Sequence, residues 1–290
     1  MNASADPVSG SPIGGATHVA GVIGWPVEHS LSPAIHNAAF ASLGMDWVYV
    51  PLPVAPGAMR AAADGLVSLG FRGANVTMPH KTESAELAHE LSDDARRLRA
   101  VNTFVVVGDR LHGHNTDAPG FDRFLRRDVG MDPAGRSALV FGAGGAARAV
   151  ALALAHGGVG ELRVAVREAS RAEDLRAAVE GTGPDIEVVP FESVEGMRTD
   201  VVVNATPLGA DGSTAPPMPS LAPGVVVVDL LYRPVSTPLL AAAREAGAEA
   251  FGGLGLLLHQ AALAFELFTG TPAPLEAMSA AALGALAERN

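Results

Sequence analysis

The sequence predicts an α/β protein of two domains. Short apolar runs typical of buried strands alternate with helical patterns along the chain, which indicates largely parallel strands joined by helices. A second strand–helix series starts afresh at Arg136, and this restart favours two domains over one. Hydrophobic residues make up 48% of the 290 positions and charged residues 18%, so the chain can bury sizeable cores.

The first series predicts a mainly parallel sheet with helices between its strands. A final short strand is a candidate at Leu111–Asn115. Ser32 and Pro33 look like a helix start, with Ser32 as N-cap and Pro33 at the first helical position. The predicted strands are Val19–Gly24, Trp47–Leu52, Gly73–Val76 and Asn102–Val107, and the predicted helices are Pro33–Gly44, Pro56–Gly70 and Pro79–Leu91.

The second series predicts another parallel sheet. The loop Gly209–Pro223 is rich in Pro, Ser and Gly and is predicted to be the least ordered internal segment. The dipeptide Gly252-Gly253 breaks the chain before two closing helices. The predicted strands are Ser137–Phe141, Glu161–Val166, Ile186–Val189, Asp200–Asn204 and Val225–Asp229, and the predicted helices are Ala146–Ala155, Pro238–Ala246, Leu254–Phe268 and Pro274–Glu288.

Charge and composition exclude several functional classes. The net charge is −11 and no basic run is longer than Arg126-Arg127, so we expect no nucleic acid and no membrane partner. The absence of Cys excludes disulfides, thiolate catalysis and Cys-based metal sites, and the scattered histidines predict no metal. Residues 1–17 resemble a flexible tail rather than a signal peptide. His259, Gln260 and Glu266 interrupt the most apolar stretch, so we expect a cytoplasmic protein.

A glycine-rich loop follows the strand that ends at Phe141. It fits the G-x-G-x-x-A pattern, with an apolar strand before it and a long apolar helix after it. The alternative is a tight turn that binds nothing, but this context favours a Rossmann-like domain in which the glycines let a pyrophosphate approach a helix N-terminus. The residues of the loop are Gly142, Ala143, Gly144, Gly145, Ala146 and Ala147.

The residues after the next strand bear on the choice of cofactor. Arg167 and Arg171 favour the 2′-phosphate of NADP, whereas Glu168 favours the free 2′-hydroxyl of NAD. The alternative is a solvated charged turn. The sequence therefore predicts NADP, with NAD possible.

Lys81 is the only lysine in a chain with 19 arginines. It is either a remnant of a general preference for Arg or a position that needs a titratable amine, because a guanidinium stays protonated. The predicted position in the first turn of a helix disfavours a cation, and that positive potential lowers the pKa of an amine. This combination is typical of a catalytic lysine.

Other polar clusters border the strands of the first series. Ser30 and Ser32 at a helix start form a plausible carboxylate cradle. Further clusters are Asn102-Thr103 and the segment from Gly113 to Asp117, and ordinary turn chemistry is the alternative for both.

Taken in order, these segments closely resemble the shikimate dehydrogenase family, from about residue 19 to residue 275. The resemblance rests on many motifs in sequence order rather than on any one of them. The motifs lie at residues 29–37 (HSLSPAIHN), 75–81 (NVTMPHK), 100–103 (AVNT), 115–117 (NTD), 142–147, 204–209 (NATPLG), 229–234 (DLLYRP), 237–240 (TPLL) and 253–261 (GLGLLLHQA).

The resemblance implies reversible reduction of 3-dehydroshikimate to shikimate with NADPH, in a cleft between a substrate domain and a cofactor domain. It implies Lys81 and Asp117 as the catalytic pair, with Lys81 favoured as the proton donor. Hydroxyls of Ser30, Ser32 and Tyr232 would hold the substrate carboxylate. The ring hydroxyls would contact Asn75, Thr77, Asn102 and Gln260, and the nicotinamide would be flanked by Thr206, Pro207 and Leu208, with Gly253 also in the cofactor site.

The resemblance also organises the chain. The expected parts are a tail at 1–17, a substrate-binding catalytic domain at 18–117, an NADP-binding domain at 118–252 and helices at 253–290 that return to the substrate domain. We expect a monomer or a homodimer.

Two departures from the family pattern leave alternatives open. Val166-Arg167-Glu168 stands where the family usually has Asn-Arg-Thr, which favours an NAD-dependent quinate/shikimate dehydrogenase as the rival. Leu256 replaces a frequent Met at similar volume. Ser32 matches the shikimate-using pattern. An alternative of another class is a nucleotide-binding sensor or scaffold without turnover.

Overall fold

The computed structural model describes residues 12–288, and the chain divides into two compact units. One unit contains the chain up to Thr116 together with the residues from Leu258 onward, and the other is Asp117–Leu257. Most of the predicted tail, residues 1–11, lies outside the described residues. The chain leaves the second unit within its penultimate helix, after Leu257, whereas the sequence placed that boundary at Gly253.

The first unit contains one sheet with helices between its strands. Its last two helices come from the end of the described chain, and the final one packs on the first helix. The strands are β1 (His18–Gly24), β2 (Trp47–Pro53), β3 (Gly73–Val76), β4 (Glu90–Leu91), β5 (Thr103–Val107) and β6 (Arg110–His114), and the helices are α1 (Ser32–Ser42), α2 (Met59–Ser68), α3 (Lys81–Leu87) and α4 (Asp93–Leu98).

This sheet has the strand order β2-β1-β3-β5-β6-β4. β1 pairs in parallel with both β2 and β3, while β5 is antiparallel to β3 and forms a hairpin with β6. The carboxyl ends of β1, β3 and β6 and the start of β5 therefore lie along one edge. Parallel strands that share an edge present the loops that follow them on the same side of the sheet.

Two local predictions for the first unit are wrong. The predicted helix Pro79–Leu91 begins at Lys81 and ends at Leu87, because Ala88 takes an extended backbone and Glu90–Leu91 pairs with β6 instead. Ser32 is not the N-cap of α1: Leu31 holds that position and Ser32 is the first helical residue. Lys81 does lie in the first turn of its helix, as predicted.

The second unit has one fully parallel sheet with helices between the strands. The last helix of this group, α9, continues into the first unit's residues, and α10 follows it. The strands are β7 (Ser137–Phe141), β8 (Glu161–Val166), β9 (Ile186–Pro190), β10 (Val201–Asn204), β11 (Val226–Asp229) and β12 (Glu249–Gly252), and the helices are α5 (Asp117–Phe124), α6 (Gly145–His156), α7 (Glu173–Val179), α8 (Pro238–Glu245) and α9 (Leu254–Thr269). The final helix, α10 (Leu275–Ala287), belongs to the first unit.

Read from β9, the strand order is β9-β8-β7-β10-β11-β12. Numbered within the unit this is 3-2-1-4-5-6, the order of a dinucleotide-binding fold. From β7 the strands β8 and β9 are added on one side, and β10, β11 and β12 are added on the other side. Ligands of such folds bind where this order changes, at the carboxyl ends of β7 and β10. The α/β prediction with a Rossmann-like unit is therefore confirmed.

Each unit has its own apolar core. In the first, Ile23, Met59 and Phe104 are among the buried residues between the sheet and α2. In the second, Leu139, Phe141 and Leu240 belong to the corresponding cluster. Of the helices within residues 12–288, none has both the length and the apolar character needed to cross a bilayer.

Candidate functional site

Four loops of the first unit bring the predicted substrate residues to the same edge of the sheet. The loop after β1 contains Ser30, the loop after β3 contains Thr77, Asn102 immediately precedes β5, and Asn115 follows β6. Backbone bonds join these loops directly, since the Val76 amide donates to the Asn102 carbonyl and the Asn102 amide donates to the His114 carbonyl. The predicted polar set of this unit is thus held on one rigid edge.

The two serines have different local roles from those predicted. The Ser30 hydroxyl accepts the backbone N–H of Ser32, the first helical residue of α1, at 3.2 Å. The Ser32 side chain is buried at the first helical position of α1. Both side chains remain at the start of α1, where the sequence placed the carboxylate cradle.

Asn75 and Asn102 are joined by a buried hydrogen-bond network. The Asn75 Nδ2 donates to Thr103 Oγ1 at 3.0 Å and to the Asn102 carbonyl at 3.3 Å. Thr103 donates in turn to Asn102 Oδ1 at 2.9 Å, and Asn102 Nδ2 donates to Thr116 Oγ1 at 2.9 Å. Buried amides that are fully bonded keep one orientation, so this network fixes both side chains.

The segment before Lys81 is anchored on both sides. The Thr77 amide donates to the Ile23 carbonyl at 2.8 Å, and the buried His80 ring contacts the Val54 carbonyl through Nε2 at 2.7 Å. The Lys81 carbonyl accepts the amide of Val101 at 2.9 Å. The start of α3 is therefore fixed to β1, to the end of β2 and to the loop before β5.

In the second unit, the glycine loop after β7 lies beside the segment after β10, which the sequence predicts to flank the nicotinamide. Gly142 follows β7 with a φ of +101°, a conformation that favours glycine. A Cβ at Gly142 would lie 3.0 Å from Thr206 Cγ2 and 3.1 Å from the Ala205 carbonyl. The first glycine is thus required both by its backbone conformation and by the close approach of the segment after β10.

The two following glycines have no such internal explanation. Gly144 is the N-cap of α6 and Gly145 its first residue, and both are exposed. A Cβ at either would meet no heavy atom of residues 12–288 within 4 Å. Open space beside glycine backbone at a helix start fits a bound pyrophosphate, because the backbone can then approach the phosphates closely.

Asn204 and Asp229 support the loops after β10 and β11. Both side chains are fully buried, and Asn204 Nδ2 donates to Asp229 Oδ1 at 3.0 Å and to the Leu208 carbonyl at 2.9 Å. Asn204 Oδ1 accepts from the amide and the hydroxyl of Thr206 at 3.0 and 2.7 Å. The segment Thr206–Leu208 is therefore pinned to the end of β10.

Asp229 supports the Tyr232 loop from the other side. Its carboxylate accepts the Thr237 hydroxyl at 2.7 Å and the Leu231 amide at 3.1 Å. Burial raises the pKa of Asp229, while the hydrogen bonds from Thr237, Leu231 and Asn204 lower it. One buried acid thus connects the predicted nicotinamide segment with the loop that contains Tyr232.

The residues after β8 that the sequence predicts to select the cofactor, Arg167, Glu168 and Arg171, are all exposed. Arg171 Nε lies 3.4 Å from Glu168 Oε2, and the Arg167 guanidinium lies over the Phe191 ring at 5.8 Å. Glu168 is therefore turned toward a cation of its own turn, which partly offsets the repulsion that it would exert on a phosphate.

The remaining predicted residues have clear positions. Asp117 is the first residue of α5, and Gln260 lies on α9. Gly253 packs so closely on the Leu230 carbonyl that a Cβ there would overlap it. The structure groups Ser32, Asn75 and Asn102 in the first unit and Gly142 with Thr206 in the second; Lys81 belongs to the first unit and Asp117 to the second.

The supporting roles of Tyr49, Thr103, Asn204 and Asp229 were not predicted from the sequence. Tyr49 is one of only two tyrosines in the chain, and a tyrosine inside an apolar strand needs a partner for its hydroxyl when buried. The sequence therefore contained a signal from which a buried, hydrogen-bonded Tyr49 could have been predicted. Asn204 and Asp229 each end an all-valine strand, which also singles them out.

The fold and these loops define a two-unit α/β protein with a dinucleotide-binding unit. Residues 22–104 match the model of the shikimate dehydrogenase substrate binding domain, and residues 253–283 match that of the shikimate 5'-dehydrogenase C-terminal domain. A shikimate dehydrogenase (NADP(+)) of Rubrobacter xylanophilus is 47% identical over 278 residues, covering 94% of this chain and 98% of the relative. The chain belongs to the shikimate dehydrogenase family.

Two solved structures extend the comparison. The shikimate 5-dehydrogenase of Thermus thermophilus in complex with NADP(H) and shikimate has a TM-score of 0.84 and 37% identity, covering 93% of this chain and all of that one (100%). The quinate dehydrogenase of Corynebacterium glutamicum in complex with NAD has a TM-score of 0.86 and 33% identity, covering 92% and 99%. Both substrate types are thus represented among close structural relatives.

Proposed function

We propose that this protein catalyses the reversible reduction of 3-dehydroshikimate to shikimate with NADPH, a step of aromatic amino acid biosynthesis through chorismate. The observation that carries the proposal is the polar edge of the first sheet, formed by four loops and rich in hydroxyl and amide groups. Such groups suit a substrate with a carboxylate and several ring hydroxyls. Relatives covering nearly the whole chain are named shikimate dehydrogenase (NADP(+)), which supports the same reaction.

The residues of the second unit fit a dinucleotide. The open backbone at Gly144 and Gly145 would accept the pyrophosphate, and Thr206–Leu208 would flank the nicotinamide. Arg167 and Arg171 are the cations for a 2′-phosphate. Bound NADPH would supply the hydride.

Lys81 and Asp117 would act on the proton. As the carbonyl carbon gains the hydride, negative charge develops on its oxygen, and the Lys81 ammonium would donate a proton to that oxygen. The Asp117 carboxylate would orient the substrate and stabilise the ammonium. In the oxidation direction, the neutral amine of Lys81 would accept the proton of the substrate hydroxyl.

The substrate would be held by hydroxyl and amide groups. Hydroxyls of Ser30, Ser32 and Tyr232 would donate to the carboxylate, and Asn75, Thr77, Asn102 and Gln260 would contact the ring hydroxyls. A cytoplasmic location and a monomeric or homodimeric state remain predictions from the sequence.

The second candidate is an NAD-dependent quinate/shikimate dehydrogenase, favoured by Glu168 and by the likeness to a quinate dehydrogenase that binds NAD. A rate matrix separates the two: shikimate and quinate, each with NADP⁺ and NAD⁺, followed at 340 nm. We expect the highest kcat/KM for shikimate with NADP⁺. A preference for quinate with NAD⁺ contradicts the proposal, and NADP binding without any turnover favours a nucleotide sensor.

A further inference from the structure

We propose that Arg233 is a further substrate-binding residue, whose guanidinium pairs with the carboxylate of shikimate. The inference rests on the proposed function, because it takes the adjacent Tyr232 as a carboxylate ligand. Arg233 lies in the loop between β11 and α8, one position after Tyr232. The family resemblance implies a role for Tyr232 and none for Arg233.

The guanidinium of Arg233 has no partner among residues 12–288. Its Nη2 atom is buried, yet neither a hydrogen bond nor an ion pair joins the group to another residue of that range. A guanidinium stays protonated in proteins, so Arg233 cannot lose its charge on burial. Because an unpaired charge is costly to bury, this position favours a ligand that brings an anion.

Two acids in the loops around Arg233 bind other donors. The Asp229 carboxylate accepts hydrogen bonds from one side-chain amide, one backbone amide and one hydroxyl. Asp211 belongs to the neighbouring loop, since a Cβ at Gly209 would lie 3.4 Å from Leu231 Cδ1. The Asp211 carboxylate accepts two backbone amides and two hydroxyls of its own turn. These loops therefore leave the charge of Arg233 to an incoming group.

The place of β11 in the sheet favours a substrate anion over a cofactor phosphate. In the order β9-β8-β7-β10-β11-β12, β11 lies three positions from β8 and two from β7. Neighbouring strands are about 4.8 Å apart, so the loop of Arg233 begins about 14 Å from the predicted 2′-phosphate ligands after β8 and about 10 Å from the predicted pyrophosphate site after β7. Its immediate neighbour β10 leads into Thr206–Leu208, which are predicted to flank the nicotinamide. The reacting end of the cofactor, where the substrate must bind, is thus nearer than either phosphate site.

A cation is the group that the predicted carboxylate ligands lack. Ser30, Ser32 and Tyr232 contribute hydroxyls, which donate hydrogen bonds but carry no charge. A guanidinium presents parallel N–H groups that match the two oxygens of a carboxylate, and hydrogen bonds between charged groups are stronger than neutral ones. The carboxylate is the only anionic group of shikimate, so it is the group that Arg233 binds.

The base of the Arg233 loop is fixed without the guanidinium. The Leu230 amide donates to the Asn204 carbonyl at 3.0 Å, and the Leu231 carbonyl accepts the Gly253 amide at 3.0 Å. The Leu231 amide donates to Asp229 Oδ1 at 3.1 Å. Because none of these bonds involves the Arg233 side chain, its replacement should leave the loop in place.

The test measures binding of shikimate and of shikimate methyl ester to wild type and to Arg233→Gln by calorimetry. The ester keeps the ring and its hydroxyls but has no charge. We expect Arg233→Gln to raise the Kd for shikimate about tenfold, as for the loss of a hydrogen bond between charged groups, and to change the Kd for the ester less than about twofold. Arg233→Lys keeps the charge without the planar pair of donors, so it should lose less affinity for shikimate than Arg233→Gln. The melting temperature of Arg233→Gln should not fall, because the side chain has no partner to lose within residues 12–288.

A matched control separates a direct contact from a change of net charge. Arg244 is an exposed arginine on α8 of the same unit, and Arg244→Gln should leave the Kd for shikimate unchanged. Arg233→Gln with wild-type affinity for shikimate, or with equal losses for shikimate and the ester, overturns the inference while the proposed function stands. A larger loss of affinity for NADPH than for shikimate, followed by nucleotide fluorescence, places Arg233 at the cofactor and also overturns it. A wild-type protein that neither binds nor oxidises shikimate or quinate overturns both.

Discussion

Asn204→Asp is the substitution for which the structure gives the sharpest expectation. It places a second carboxylate where the amide nitrogen now lies 3.0 Å from Asp229 Oδ1, in a fully buried position. Two ionised carboxylates at that distance repel by about 5 kcal/mol at an effective dielectric constant of ~20. That is a large part of the roughly 5–15 kcal/mol by which a folded domain is stable.

The loss of stability in Asn204→Asp depends on pH in a defined direction. Burial already raises the pKa of Asp229. A neighbouring carboxylate raises the pKa at which the pair loses its last proton, since the two groups can share one proton. The folded protein then keeps a proton that the unfolded chain releases near pH 4. Stability is therefore present at low pH and lost as pH rises through the pKa of the folded pair.

The assay is thermal unfolding of wild type, Asn204→Asp and Asn204→Ala at pH 5 and pH 8. We expect the deficit of Asn204→Asp relative to wild type to be clearly larger at pH 8. Asn204→Ala loses the same hydrogen bonds without adding a charge, so its deficit should change much less with pH. Equal deficits of Asn204→Asp at both pH values would refute the proposed electrostatic role of this pair.

Four further changes test other parts of the structure. Lys81→Ala should lower kcat by roughly 10²–10⁴-fold. Lys81→Arg should lower kcat similarly, because a guanidinium does not donate its proton. An unchanged kcat in either variant would show that Lys81 does not transfer the proton. Gly142→Ala forces φ +101° on an L-residue at about 1–2 kcal/mol and presses on Thr206, so the melting temperature should fall and KM for NADPH should rise several-fold. Glu168→Thr removes a negative charge beside the predicted 2′-phosphate position and should raise the NADPH-to-NADH ratio of kcat/KM about two- to fivefold. An unchanged ratio means that Glu168 does not face the cofactor. His36→Phe removes a buried ring whose nitrogens have no hydrogen-bond partner within residues 12–288. Because the folded pKa of His36 is lowered to about 3, wild type loses stability as pH falls below about 6.5, and the variant should lose less between pH 6 and pH 4 in the same melts.

The strands were predictable because buried parallel strands are nearly continuous apolar runs. Val201–Asn204 and Val226–Asp229 were found within one residue of their observed bounds for this reason. The short helix Asp93–Leu98 was missed, since six residues are too few to show a helical period, although Ser92 caps it. The strand Glu249–Gly252 has no apolar run, and its pairing with β11 is what makes it a strand.

The residues of the site also differ in how far the sequence predicted them. Lys81 was predicted from a local pattern, and Asn75 was predicted because its motif resembles one of the family. Tyr49 belongs to no motif, and its contact with Asn75 spans 26 positions of sequence that only the pairing of β1 with β2 and β3 brings together. Ser32 was assigned to the cap because Ser-Pro is a common helix start, whereas in the structure Leu31 is the N-cap.

The discontinuity of the first unit affects how the chain is made. Gly73 on β3 lies against Phe268 of α9, so that part of the early sheet stays uncovered until the ribosome has produced residue 268, although α1 already packs on β2. The intervening unit, Asp117–Leu257, takes roughly 7–30 s to synthesise at about 5–20 residues per second. The unit that begins first is therefore completed last, and during that interval its exposed apolar face is a target for chaperones and for proteases.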